Sequence, residues 1–251
     1  MKPFIILYNI LVSPIILIVT IITAAVTIIG CTLGNSNFWG YYPGHIWGKF
    51  MCWIFFIPVE VKGGEDLDPQ QSYIFVANHQ GAYDIFLIYG YLDRNFKWIM
   101  KSTLRKILFV GKACEAAGHI FVGKGPKSVA HTIAQAEKVL IEGTSIVIFP
   151  EGARTFTGHM GYFKRGAFQQ ADDLQLPVVP LTINGAFNVM PRTSYFVRRH
   201  PMKLTIHKPI PPKGKGTENI KALLEEAYAT VESGLIPQYQ GMIVNKDQEI
   251  L

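Results

Sequence analysis

Between Pro3 and Gly48 the chain has no Asp, Glu, Lys or Arg. So long a run without charge excludes an ordinary solvated surface and marks a segment that meets lipid or a deep core. Cysteine is scarce too: Cys31, Cys52 and Cys114 are widely spaced and form no Cys-x-x-Cys pair, which argues against a disulfide framework or a structural zinc site. There is no Gly-x-Ser-x-Gly elbow, so no serine nucleophile of that type is expected. Internal repeats and low-complexity segments are absent. Despite a net charge of +6, recognition-helix motifs, zinc-finger spacings and arginine-rich stripes are also missing, and nucleic acid is not expected as a partner.

What fills the charge-free stretch is apolar. Residues 4–29 form a nearly unbroken run, interrupted by Asn9, Ser13, Pro14 and a few threonines. As a helix it would be ~39 Å long against a hydrocarbon core of ~30 Å. After the turn-like Gly34-Asn35-Ser36-Asn37 comes a second apolar run over 50–59, too short to span alone. Three arrangements fit: a tilted or kinked span, a helical hairpin, and an interfacial helix with Trp39, Tyr41, Tyr42, Trp47 and Trp53 at headgroup depth. Ile28-Ile29-Gly30-Cys31 has the form of a lipoprotein cleavage box, but the apolar core outruns the ~7–15 residues of a secretory signal, and the segment is read as retained. Residues 1–60 are therefore assigned as a membrane anchor and 61–251 as the functional domain. Nearly all charge lies after Glu60, and its basic excess predicts that the domain faces the cytoplasmic leaflet.

From residue 61 onward strand-like and helix-like segments alternate. Strands are expected over 73–77, 96–100, 119–122, 145–149, 178–183 and 203–207, and helices over 84–92, 103–117, 126–142, 164–171 and 217–234. This alternation predicts an α/β domain with a mostly parallel sheet flanked by helices.

Two strand ends carry the chemistry. The run Tyr73–Ala77 leads into Asn78-His79-Gln80-Gly81-Ala82-Tyr83-Asp84. On one regular helix His79 and Asp84 would point about 140° apart, so the spacing puts His79 in a turn and Asp84 in the first turn of a following helix, from which its carboxylate can reach back to the imidazole. A plain capping role for both is the competing interpretation. The run Ile146–Phe149 leads into Pro150-Glu151-Gly152-Ala153-Arg154-Thr155. Ligands gather outside the carboxyl ends of parallel strands, and Arg154 offers a fork suited to phosphate, while a local Glu151–Arg154 ion pair would be the bland alternative. Lys124, between glycines, is a weaker cationic candidate, and Phe163-Lys164-Arg165-Gly166 opens a helix.

These blocks, in this order, resemble the glycerolipid acyltransferase family, whose best-known members are 1-acylglycerol-3-phosphate (lysophosphatidate) acyltransferases. The family's Asn-His-x-x-x-x-Asp motif matches Asn78, His79 and Asp84. Its Phe-Pro-Glu-Gly-Thr-Arg motif matches Phe149, Pro150, Glu151, Gly152 and Arg154, with Ala153 in place of threonine. Its Gly-x-x-Phe-[Ile/Val]-x-Arg motif matches Gly118, Phe121 and Val122, with Lys124 in place of arginine; Phe163, Lys164, Gly166, Val179 and Pro180 match further elements. Lys124 keeps the charge and loses the bidentate fork, which bears on the acceptor headgroup.

The resemblance implies a membrane-associated O-acyltransferase that moves a fatty acyl group from a thioester to the 2-hydroxyl of 1-acylglycerol-3-phosphate and gives phosphatidic acid. His79 would be the general base, oriented by Asp84, with Asn78, Lys124, Glu151, Gly152, Arg154 and Lys164 at the substrate. No resident cofactor or metal is expected; acyl-CoA or acyl-carrier protein is the co-substrate. The competing readings are the same chemistry on another lysolipid or an amino-acid lipid, a metal-dependent hydrolase built on His79, Asp84, His119 and Glu151, and a noncatalytic lipid-binding protein.

Overall fold

The charge-free segment folds as α1 (Pro3–Leu33), α2 (Ser36–Trp39) and α3 (Tyr42–Ile54) in a computed structural model that describes residues 3–123, 126–140 and 143–241. Asn35 ends the first arm by capping α2, its side-chain oxygen accepting from the N–H groups of Asn37 at 2.8 Å and Phe38 at 3.3 Å. The second arm begins at Tyr42, earlier than the apolar run 50–59, because Pro43 suits a first helical turn. The two arms pack as a hairpin, with Trp47 Nε1 donating to Thr20 Oγ1 at 3.1 Å. Polar side chains pin α1 to the rest of the protein near its start. Asn9 donates to the Val197 carbonyl at 2.9 Å and accepts from the Val197 N–H at 2.8 Å, and the Tyr8 hydroxyl donates to the Ile54 carbonyl. The opposite face of α1 stays apolar and exposed at Leu11, Ile18, Ile22 and Ile29.

The remainder is β1 (Val59–Gly63), β2 (Ile74–Ala77), α4 (Tyr83–Tyr91), β3 (Phe96–Lys101), α5 (Val110–Ala116), β4 (Ile120–Val122), α6 (Pro126–Val139), β5 (Ser145–Ile148), α7 (Gly166–Leu174), β6 (Val178–Asn184), α8 (Ala186–Val189), β7 (Met202–Ile206) and α9 (Thr217–Ser233). The sheet runs β1-β7-β6-β2-β5-β3-β4 and is parallel except between β6 and β7. Central β2 is buried throughout, as parallel strands covered on both faces must be. Its alternation splits the core: Phe75 and Ala77 pack with α3 and α4, while Ile74 and Val76 pack with α7 and α9.

Two elements depart from the expectations. Val59–Gly63 pairs with β7 as an edge strand, so the boundary placed between 60 and 61 runs through β1. Its exposed Glu60 and Lys62 gave it the look of a linker, though edge strands tolerate such charges. The helix expected over 103–117 is broken into a 3-10 turn, Ser102–Lys106, and the short α5, because Phe109 adopts φ 61° and cannot continue a right-handed helix.

Candidate active site

The loop after β2 is stapled to the neighbouring strand by Asn78. Its amide donates to the Ile183 carbonyl at 2.9 Å and accepts from the Ile183 N–H at 2.8 Å, so the side chain extends the sheet by one backbone-like pair. Gly81 then passes so close to the backbone of Ala186 that no Cβ fits, which lets the chain turn sharply into α4. Asp84 enters the first turn of α4, fully buried, and Oδ2 accepts from His79 Nδ1 at 2.7 Å and from the Gly81 N–H at 2.9 Å. With Nδ1–H committed to the carboxylate, the imidazole has Nε2 free to accept a proton. The ring lies flat on Phe149, 3.9 Å between centroids and 8° between planes, and Phe149 stacks in turn on Trp98.

Glu151 acts on the same loop from behind. One oxygen accepts from the His79 N–H at 2.6 Å and the other from the Gly161 N–H at 2.8 Å. Burial pushes its carboxyl up to about 8, against the pull of those two donors. The Thr155 N–H donates to the His79 carbonyl at 2.9 Å, so both backbone polar groups of His79 are held by the loop after β5. Asn78 and Glu151 are buried, and their polar atoms are taken by the scaffold; Asn78 braces the sheet and Glu151 positions His79.

His79, Gly152, Ala153 and Arg154 share one cavity of about 580 Å³. Its wall carries a second guanidinium, Arg192, that no sequence motif marks. Arg192 donates through Nη1 to the Arg154 carbonyl at 3.1 Å and lies 4.2 Å over the Phe156 ring. Neither arginine has a carboxylate partner among the described residues, so this wall suits an anion. Arg192 belongs to no recognised motif; its only sequence signal is a cation shortly after a buried strand. The alternative of a local Glu151–Arg154 ion pair is not formed, since both Glu151 oxygens accept from backbone N–H groups. Lys164 is exposed, its ammonium against the face of Gly152. Lys124 lies outside the described residues.

Away from the arginines the lining is mostly apolar and includes Ile85, Met100, Ala113 and Ala24 of α1, with Lys101 and the threonines of α1 among its polar members. His119 lies along this wall as a structural group. Nδ1 accepts from the Trp98 N–H at 3.2 Å, Nε2 meets the Tyr89 hydroxyl at 2.6 Å, and burial, with Lys97 nearby, lowers the ring to about 3, so it stays neutral. Among the described residues no three His, Cys, Asp or Glu side chains converge on a point that would hold an ion.

An acid–base pair at the carboxyl ends of parallel strands, opening on a chamber that holds two arginines and a mostly apolar lining, has the composition of an enzyme site. Relatives narrow the class, and the chain belongs to the acyltransferase family: the sequence profile described as Acyltransferase matches residues 58–184. A 1-acyl-sn-glycerol-3-phosphate acyltransferase of Chlamydomonas reinhardtii is 32% identical over 189 residues, covering 74% of this chain and 55% of that protein. The human 1-acyl-sn-glycerol-3-phosphate acyltransferase alpha is 29% identical over 175 residues, covering 69% of this chain and 62% of its own. The chain thus spans little more than half the length of such relatives. A crystal structure of the 1-acyl-sn-glycerophosphate acyltransferase of Thermotoga maritima superposes with a TM-score of 0.77 at 25% identity, covering 92% of this chain and 93% of that one.

Proposed function

We propose that the protein transfers a fatty acyl group from a thioester, acyl-CoA or acyl-carrier protein, to the 2-hydroxyl of 1-acylglycerol-3-phosphate and forms phosphatidic acid. The observation that carries this reading is that His79, braced by Asp84, opens on the same cavity as a mostly apolar lining and two arginines that have no carboxylate partner among the described residues. His79 Nε2 takes the hydroxyl proton as the oxygen bonds to the thioester carbonyl, and Asp84 stabilises the imidazolium. Collapse of the tetrahedral intermediate breaks the C–S bond, and the thiolate takes the proton from the imidazolium. A thiol with an ordinary value near 8.5 is a good enough leaving group that one acid–base pair suffices. Arg154 and Arg192 bind the acceptor phosphate, with Lys164 adding positive charge, and the apolar depth takes the acyl chain.

The apolar face of α1 lies in the membrane, with the basic domain toward the anionic cytoplasmic leaflet. The contact to the domain at Asn9 near one end of α1, and those through the cavity wall at Thr20 and Thr27, support a helix lying along the domain within one leaflet over one that leads away from it. The test is mass-spectrometric identification of products when the membrane-bound protein is offered mixed lysolipids with labelled acyl-CoA and acyl-carrier protein. Labelled phosphatidic acid as the main product supports the reading. Acylation of another lysolipid in its place would reassign the acceptor, and no acyl transfer at all would refute it.

A further inference from the structure

One exposed apolar cluster on the domain borders the cavity and supplies no group to the acid–base chemistry at His79. Leu104, Ile107, Leu108 and Phe109 are 41%, 48%, 76% and 46% exposed, all within the break between β3 and α5. The tip is held in a defined shape. The Val110 N–H donates to the Leu108 carbonyl at 2.7 Å across Phe109 at φ 61° and ψ −50°, a γ-turn of the rarer, strained hand. At its base, Arg105 pairs with Glu115 at 2.6 Å and lies 4.6 Å over the Phe121 ring. Around it Lys101, Lys106 and Lys112 are exposed and have no carboxylate partner among the described residues.

The geometry points to a second membrane contact: we infer that Leu104–Phe109 is an apolar wedge that enters an anionic bilayer beside α1, with the lysines at headgroup level. Two observations select lipid as the occupant. An apolar tip ringed by unpaired cations matches the apolar interior and anionic surface of such a bilayer in order of depth. The tip also continues the surface of α1, because Leu104, Ile107 and Val110 line the same cavity as Thr20 and Thr27, so wedge and helix flank one opening. Inserted together, they set that opening at the depth of acyl chains. The strained turn keeps Leu108 outward, where burial in lipid compensates an exposure that water disfavours.

The inference rests on the reading of α1 as embedded in lipid, and the experiment separates the two. A photoreactive benzophenone amino acid is placed in the full chain at Leu108, at Ile18 on the exposed face of α1, or at Glu225 on α9 across the sheet. Each protein is irradiated in phosphatidylcholine vesicles with and without phosphatidylglycerol, and adducts are identified by mass spectrometry. Lipid adducts at positions 18 and 108 but not 225 are expected, with the yield at 108 falling severalfold without phosphatidylglycerol or with Lys106→Glu and Lys112→Glu combined. Adducts at 18 with none at 108 overturn the wedge and leave α1 in place. Adducts at 108 with none at 18 support the wedge and refute the placement of α1. Attachment of position 108 to a second protein chain, or a yield indifferent to lipid charge, overturns the inference.

Discussion

The imidazole of His79 lies flat on the ring of Phe149, 3.9 Å between centroids and 8° from parallel. Asp84 fixes one edge of the imidazole through Nδ1, and Phe149 fixes its plane, so the direction of Nε2 is set by two contacts from different strand ends. Phe149→Leu keeps the volume apolar and removes the flat platform. The expected result is a fall in kcat of up to ~10²-fold, the scale of a small misplacement of a catalytic group, with little change in the acceptor KM. Phe149→Tyr should stay near wild type. Steady-state kinetics with both variants checks this.

Arg192 gives a different signature. Arg192→Ala should raise the KM for the phosphorylated acceptor by roughly 10- to 100-fold, as expected for loss of a charge-assisted contact, while kcat changes little. Arg192→Lys should fall between, since the amine keeps the charge but cannot reproduce a fork that stacks on Phe156 while bonding the Arg154 carbonyl. Because the two arginines touch, the double variant with Arg154→Ala should be non-additive. An acceptor KM unmoved in both single variants would remove the anion wall from the mechanism.

Glu151 predicts a pH dependence of stability. Burial raises its folded value to about 8 from an ordinary value of 4.5, so between those limits the folded state binds more protons than the unfolded state. Its contribution is complete below about 4.5 and is lost as the pH rises through about 8. Glu151→Gln removes this titration. Thermal denaturation in mild detergent should show the Tm of wild type, relative to Glu151→Gln, declining as pH rises through that window; a difference that grows with pH would contradict the assignment.

The apolar depth predicts donor selection. Ala113 is buried and lines the cavity beyond His79. Ala113→Phe should shorten the chamber and move preference toward shorter acyl donors, by about fourfold in kcat/KM for each methylene that no longer fits, at ~0.8 kcal/mol per buried methylene. Competition between labelled donors of different length measures the shift.

The parts of this site that could be read in the sequence are those that covalent geometry keeps together. His79 and Asp84 are five residues apart across one turn, and the strand before them is a continuous apolar run, so the turn-then-helix placement follows from helical geometry alone. The sheet was likewise legible, because β2, β5 and β6 are buried on both faces and are mostly apolar. Glu151 was found as a residue, but not in its role. That it holds the His79 N–H depends on β5 lying beside β2, a pairing across 72 positions that no local pattern encodes. Arg192 reaches the site only through the packing of the segment after β6, where Ala82 N–H donates to the Met190 carbonyl. β1 stayed hidden because an edge strand lacks the burial that makes strands apolar, and the break at Phe109 falls on a bulky residue, with only Gly111 two positions later to hint at it.

If His79 is the base for the acyl acceptor, its loss shows in the single-turnover rate of His79→Ala, purified and folded, with 1-acylglycerol-3-phosphate and acyl-CoA. A fall of about 10²- to 10⁴-fold relative to wild type is expected, with acceptor binding retained through Arg154 and Arg192. A rate near that of wild type would contradict that role.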